Sequence, residues 1–320
     1  MNFKEKDDKD IEGEDIIENQ YIKLSDLRKV TGIGDKTIER IKEALLQKQN
    51  NKYKSEYDEN IKLDKNNIYQ GDCLELMDGI SDGSIDMILC DLPYGVTQCK
   101  WDSIIPFDNL WLQYERIIKD SGIIILTASQ PFTSALVMSN PNLFKYELIW
   151  EKEQGTGQLN AKKMPLKKHE SILVFSKNKL GNFTYNPQMG KGKPYSRNDI
   201  GKVNNIKEKV YGNSIGYKAS NITTRHPTSI VQFNMVKEKG QHPTQKPVDL
   251  FEYLIKTYTN EGDLVLDNCI GSGTTAISAI NTNRNFIGIE LQDEYYKLAK
   301  DRVNKHIIDH NLQEKYSELA

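Results

Sequence analysis

Apolar positions in this chain fall into short runs of strand length, separated by segments with helical spacing. The clearest run is Met87-Ile88-Leu89-Cys90, which ends on Asp91-Leu92-Pro93-Tyr94. Four consecutive apolar residues closed by an acid and a proline predict a buried parallel strand with a turn at its C-terminal edge. Residues 67–70, 122–127, 146–150, 264–267 and 285–290 carry similar runs. Between them, residues 109–119, 132–138 and 249–258 repeat apolar positions at helical spacing. A further helix is expected from Leu74. Strands alternating with helices predict an α/β fold with a doubly wound, mostly parallel sheet.

The alternation breaks twice. Residues 1–20 hold three lysines against eight acids and few apolar positions, the pattern of a disordered acidic tail. Residues 21–60 then predict a helical arm and a polar linker. Within that arm, Asp35 is a good N-cap, and Ile38, Ile41 and Leu45 follow at helical spacing after Gly32-Ile33-Gly34. The second break is residues 151–241, rich in Gly, Asn, Lys and Tyr. Fifteen lysines and two arginines there face six acids, a surplus of eleven positive charges in a chain whose net charge is −2. Basic residues interleaved with tyrosines suit a polyanion such as nucleic acid, and Lys162, Lys163, Lys167 and Lys168 are the candidate contacts. A lysine-rich insertion is the alternative. The remaining boundaries are 61–150 and 242–310 for the two parts of the α/β domain, and 311–320 for a C-terminal tail.

Candidate chemistry gathers at the strand ends. Asp91, the Pro93 carbonyl and the Tyr94 ring would suit a planar amine such as a nucleobase, with two acceptors for its N–H groups and a stacking surface. An ordinary strand-to-loop turn fits the same residues. After the strand ending at Asp267 comes Gly271-Ser272-Gly273-Thr274-Thr275, then a helix, then a strand ending at Glu290. Strand, glycine turn, helix, strand and acid form the framework of a nucleoside site, with the acid placed for ribose hydroxyls. No lysine follows the second glycine, so this is no Walker loop, and Ala276 replaces the third glycine of the dinucleotide fingerprint. Asp72, at the end of the first strand, could bind a cofactor base or cap the next helix. The four cysteines form no C-x-x-C pair, so no metal site is expected, and reduced thiols in the cytoplasm are. No apolar run approaches the roughly 20 residues of a membrane span.

These motifs resemble one family. Asp91-Leu92-Pro93-Tyr94 is similar to the D-P-P-Y motif of S-adenosylmethionine-dependent amino-group DNA methyltransferases. Gly271 to Thr275 resembles their glycine motif, and His242-Pro243-Thr244-Gln245-Lys246-Pro247 the segment before it. Catalytic motif, basic segment, then glycine motif is the order of the β class. The resemblance implies a Rossmann-like methyltransferase fold with permuted motifs and a target-recognition region at 151–241. It implies Asp91, Pro93 and Tyr94 as catalytic residues acting on a flipped adenine N6 amine, with cytosine N4 as the alternative. A catalytically inactive DNA-binding protein of the same fold is a further alternative. S-adenosylmethionine would be held by Asp267, Gly271, Gly273, Thr274 and Glu290, with Asp91, Asp72 and Lys246 as further contacts. The expected partner is double-stranded DNA, with a second copy of the chain and a cognate restriction endonuclease as candidates. The arm around Gly32 and Gly34 resembles a helix-hairpin-helix that would bind a DNA phosphate; a packing arm is the alternative. Two departures stand out: Leu92 replaces a proline, and Asn268-Cys269-Ile270 replaces the usual proline-phenylalanine stretch.

Overall fold

The computed structural model describes residues 62–95, 102–198, 218–236 and 245–316. All of them belong to one unit, Glu59–Ala320. Gly32 and Gly34, the acidic tail and residues 242–244 lie outside the described residues.

Ten strands and six α-helices are described. In chain order they are β1 (Asn67–Gln70), α1 (Cys73–Met77), β2 (Ile85–Cys90), α2 (Phe107–Ile117), β3 (Ile118–Ala128), α3 (Phe132–Ser139) and β4 (Phe144–Thr156). A 3-10 turn, Gln158–Asn160, precedes β5 (Lys167–Phe175), β6 (Gly190–Asn198), β7 (Lys218–Arg225) and β8 (Ile230–Gln232). The chain closes with α4 (Val248–Tyr258), β9 (Leu264–Asp267), α5 (Thr274–Asn281), β10 (Asn285–Glu290) and α6 (Asp293–Asp309).

Eight strands form one sheet in the order β1-β10-β9-β2-β3-β5-β4-β8. Only β5 runs against the rest. Successive residues of a strand point to opposite faces, so a sheet covered on both sides needs apolar residues at nearly every position. The core divides accordingly. Met87, Leu89, Ile123 and Ile125 pack on one face with Leu250 and Leu254 of α4, Ile277 of α5 and Val303 of α6. Ile88, Cys90, Ile124 and Leu126 pack on the other with Met77 of α1, Leu110 and Tyr114 of α2 and Leu136 of α3. The doubly wound sheet predicted from the alternation is present.

The decisive pairing is β2 with β9. They are parallel neighbours, with Met87 opposite Val265 and Ile88 opposite Leu266. From β2 the chain crosses to β3 on one side, and from β9 it crosses to β10 on the other. Such a reversal opens a crevice at the carboxyl ends of the two strands, where ligands of open α/β sheets bind. Asp91 and Asp267 flank it. Asp86 fixes this junction from below: it accepts from the Leu264 amide at 3.0 Å and from the Lys119 ammonium at 2.6 Å.

The segment 151–241 differs from expectation in its first part. The strand expected at 146–150 extends to Thr156, and β5 is a core strand of the sheet. The charged opening Lys167-Lys168-His169-Glu170 masks the buried run Ser171–Phe175 that follows it. Later residues do form a separate basic two-stranded antiparallel sheet, β6 with β7, where the Arg225 guanidinium lies 4.5 Å from the Tyr195 ring centroid.

Candidate active site

The carboxyl ends of β1, β2, β9 and β10 open into a cavity of about 560 Å³. Asp72, Asp91, Pro93, Tyr94, Lys246, Asp267, Gly271, Thr274 and Glu290 all line it. The two motifs that sequence separates by 180 residues therefore share one chamber. Gly273 does not line it.

On the β2 side, the strand delivers Asp91 to the edge and Leu92 turns back into the core. A leucine in the first proline position is thus accommodated by burial. Asp91 Oδ1 accepts from the Tyr94 hydroxyl at 2.6 Å and from the Thr127 hydroxyl at the end of β3. Asp91 Oδ2 accepts from the Lys246 ammonium at 2.5 Å. The Tyr94 ring is stacked on Phe132, with centroids 5.2 Å apart and planes 27° from parallel. Burial holds the Tyr94 hydroxyl well above the usual tyrosine range, so it stays a donor to Asp91.

On the glycine side, Asp267 is engaged by its own turn. Its oxygens accept from the Cys269 amide at 3.0 Å and from the Thr275 hydroxyl. Burial pushes its carboxyl up to about 7. Glu290 holds the turn from β10: Oε2 accepts from the Gly271 amide and Oε1 from the Gln292 amide, each at 2.9 Å. Burial raises its pKa as well. Two backbone donors leave two of the roughly four lone-pair sites of a carboxylate for ligand hydroxyls. Asp72 caps α1, with Oδ1 accepting from the Leu74 amide at 2.8 Å, while still facing the cavity. A glycine turn at a helix N-terminus with two strand-end carboxylates fits a nucleoside cofactor with free hydroxyls, as the resemblance implies.

Gly273 needs a different account from the one its motif suggested. Its φ is +82°, which favours glycine. A Cβ there would lie 3.1 Å from Val303 Cγ2 and 3.3 Å from the Ala299 carbonyl oxygen, both in α6. The space it preserves belongs to helix packing, whereas Gly271, with φ +53°, lines the cavity. Asn268 also has a structural task. Its Oδ1 accepts from the buried Tyr114 hydroxyl at 2.6 Å, and its amide reaches Cys73 and Cys269. The departure from the usual proline is therefore a buried polar tie between the turn and α2.

The four candidate DNA-binding lysines divide. Lys162 and Lys163 are exposed beside the 3-10 turn. Lys167 is turned inward, its ammonium donating to the Ser129 hydroxyl, and burial pulls its pKa down. Lys168 pairs with Glu151 at 2.9 Å on the surface.

Sequence reasoning missed Thr127, Lys152 and Glu170. Lys152 and Glu170 line the cavity and pair at 2.5 Å, and Glu170 Oε2 lies 3.4 Å from the Lys246 ammonium. Burial alone would pull the Lys246 ammonium down, but Asp91 and Glu170 together carry it above the ordinary lysine range. The available signal was an acid just before the apolar run of a strand, the same arrangement in reverse order as Asp91.

The N6/N4 methyltransferase family model, described as DNA methylase, matches residues 85–301. The Type II methyltransferase M1.MboII of Moraxella bovis is 30% identical over 267 residues, covering 76% of this chain and 98% of its own. The DNA adenine methyltransferase YhdJ of Escherichia coli is 28% identical over 255 residues, covering 74% of this chain and 82% of its own. Among solved structures, the cytosine-N4-specific PvuII DNA methyltransferase shares the fold, with a TM-score of 0.52 at 17% identity. That match covers 81% of this chain and 95% of that one.

Proposed function

Because the chain belongs to the β class of the N6/N4 DNA methylase family, we propose that it methylates the N6 amine of a flipped-out adenine in double-stranded DNA. Its methyl donor is S-adenosylmethionine, which supplies an electrophilic methyl group on a sulfonium. Gly271, Thr274 and Glu290 would hold that cofactor, with Asp72 alongside.

Asp91 carries the reading: a carboxylate at the junction of β2 and β9, in one cavity with the glycine turn. The exocyclic amine of adenine has its lone pair delocalised into the ring and is a poor nucleophile. Asp91 and the Pro93 carbonyl each accept one N–H hydrogen, which draws the nitrogen toward a tetrahedral, lone-pair-bearing geometry. Positive charge then develops on that nitrogen, and the fixed Asp91 carboxylate stabilises it and accepts its proton. A base inside the duplex cannot reach this depth, so it must leave the stack. Aspartate at position 91, together with a relative named as a DNA adenine methyltransferase, supports adenine over cytosine.

Mapping the modified base and its position in DNA from cells expressing the chain tests the target. N6-methyladenine supports the proposal, and N4-methylcytosine overturns it. Asp91→Ala tests the site. Transfer should fall at least about 1,000-fold while S-adenosylmethionine binding persists. Retention within about tenfold, or 1.4 kcal/mol of barrier, would remove the role assigned to Asp91.

A further inference from the structure

Asp91 is already occupied in this structure. Thr127 and Tyr94 hold one oxygen, and the Lys246 ammonium sits 2.5 Å from the other. An ammonium on Oδ2 stands where one N–H of a target amine would be accepted. Lys246 is buried, at 7% exposure, so it cannot withdraw into water.

Another acceptor is at hand. Glu170 enters from β5, the one strand that runs against the rest of the sheet. Its Oε1 takes the Lys152 ammonium at 2.5 Å. Its Oε2 is buried and accepts no hydrogen bond among the described residues, and it lies 3.4 Å from the Lys246 ammonium. A buried carboxylate oxygen that has an ammonium at ion-pair distance but no hydrogen bond is incompletely satisfied and calls for an explanation. Asp91, Glu170, Lys152 and Lys246 are two acids and two cations, so a displaced ammonium that stays among them leaves the net charge of the cluster unchanged. Lys246 is anchored from the other half of the site as well, since its carbonyl accepts from the Thr274 hydroxyl at 3.4 Å. Its side chain thus spans from the glycine turn to both acids.

We propose that Lys246 is a placeholder on Asp91, and that Glu170 is the positioning residue to which its ammonium withdraws when the target amine enters. The exchange moves one ammonium between two carboxylates and breaks no covalent bond. Before DNA binds, the placeholder keeps Asp91 oriented and paired. Afterwards the pair Lys246–Glu170 replaces Lys246–Asp91, and both Asp91 and the Pro93 carbonyl face the amine. A fixed clamp of buried ion pairs is the competing account, and the two differ in how substitutions combine.

The inference rests on Asp91 as the amine acceptor, so Asp91→Ala is run beside it. Single-turnover methyl transfer and fluorescence of 2-aminopurine at the mapped target position are measured for Glu170→Gln, Lys246→Met and the double variant. Without its acceptor the ammonium stays on Asp91. Glu170→Gln should therefore slow transfer at least tenfold and lower the flipped-base signal, with S-adenosylmethionine affinity retained. Removing the ammonium removes the competitor, so the double variant should be faster than Glu170→Gln and regain the flipped-base signal. A double variant as slow as Glu170→Gln or slower overturns the proposal, as does Glu170→Gln within twofold of the parent. Should Glu170→Gln fail to fold, Glu170→Asp keeps the charge but shortens the reach, and the same rescue by Lys246→Met is expected. An inactive Asp91→Ala with an unimpaired Glu170→Gln sinks this inference alone. An active Asp91→Ala sinks the reading beneath it.

Discussion

Gly273→Ala separates a glycine that serves packing from one that serves the ligand. Three effects set its magnitude. Placing a Cβ on a residue with φ +82° costs about 1–2 kcal/mol. Contacts of 3.1 Å to Val303 Cγ2 and 3.3 Å to the Ala299 carbonyl oxygen force α6 to shift, an overpacking cost of about 1–3 kcal/mol. Alanine also narrows the unfolded ensemble, which offsets about 0.4–1 kcal/mol. The net is a destabilisation of roughly 3 kcal/mol, or a melting temperature lower by about 6–12 °C for a unit of this size. Because Gly273 does not line the cavity, S-adenosylmethionine affinity of the folded variant should change less than about threefold. Gly271→Val is the comparator: Gly271 lines the cavity, and a side chain there should weaken the cofactor at least tenfold. Differential scanning calorimetry and isothermal titration read the two quantities separately. An unchanged melting temperature with lost affinity in Gly273→Ala would refute the packing account.

Other residues make distinct predictions. Glu290→Ala removes the acceptor of two backbone amides and of the ligand hydroxyls, worth about 1.5–3 kcal/mol. Cofactor affinity by titration should fall by roughly 10- to 150-fold, and an unchanged value would leave Glu290 a structural residue only. Asp267 has a folded pKa raised from 3.8 to about 7 by burial, so its ionisation opposes folding. Its contribution is intact below pH 3.8 and declines as pH rises to about 7, so the stability of Asp267→Asn relative to the parent should rise across that window, by up to about 1.4 kcal/mol per pH unit, and then level off. A pH-independent difference in denaturant midpoint would contradict it. Replacing the exposed Lys162 and Lys163 by glutamine should flatten the log–log salt dependence of DNA binding by about one to two units, at roughly 0.9 per phosphate contact, and leave base preference intact. An unchanged slope would remove both from the DNA interface.

What could be read from the sequence follows from how these elements are made. A parallel strand buried on both faces must be a continuous apolar run, so Met87 to Cys90 and Leu264 to Leu266 declare themselves. The acids that close such runs mark the carboxyl edge, which is why Asp91, Asp267 and Glu290 were found together. By contrast, β5 begins with five polar or charged residues and lies inside a basic segment, so local composition outweighs its four-residue apolar core. Gly273 shows a second limit. A sequence reveals that a glycine is present, but whether helix or ligand stands opposite its missing Cβ depends on where α6 packs. The partnership of Lys246 with Glu170 joins residues 76 positions apart through the one reversed strand, and no periodicity encodes it.

The three strand-end acids also show why a shared position does not imply a shared task. Asp267 and Glu290 are buried, and each binds donors from the turn it supports. Their hydrogen bonds fix the backbone that a cofactor would meet, and for Asp267 both oxygens are used in doing so. Asp91 is less buried, its side chain 22% exposed, and its partners among the described residues are all side chains: Tyr94, Thr127 and Lys246. Side chains on rotatable bonds can be exchanged for a ligand at far lower cost than backbone amides held in a turn. A carboxylate held by side chains can therefore stay oriented at rest and still admit an amine. That distinction, between acceptors committed to backbone and one committed to movable groups, is why Asp91 is the acid of the three for which we propose a catalytic role.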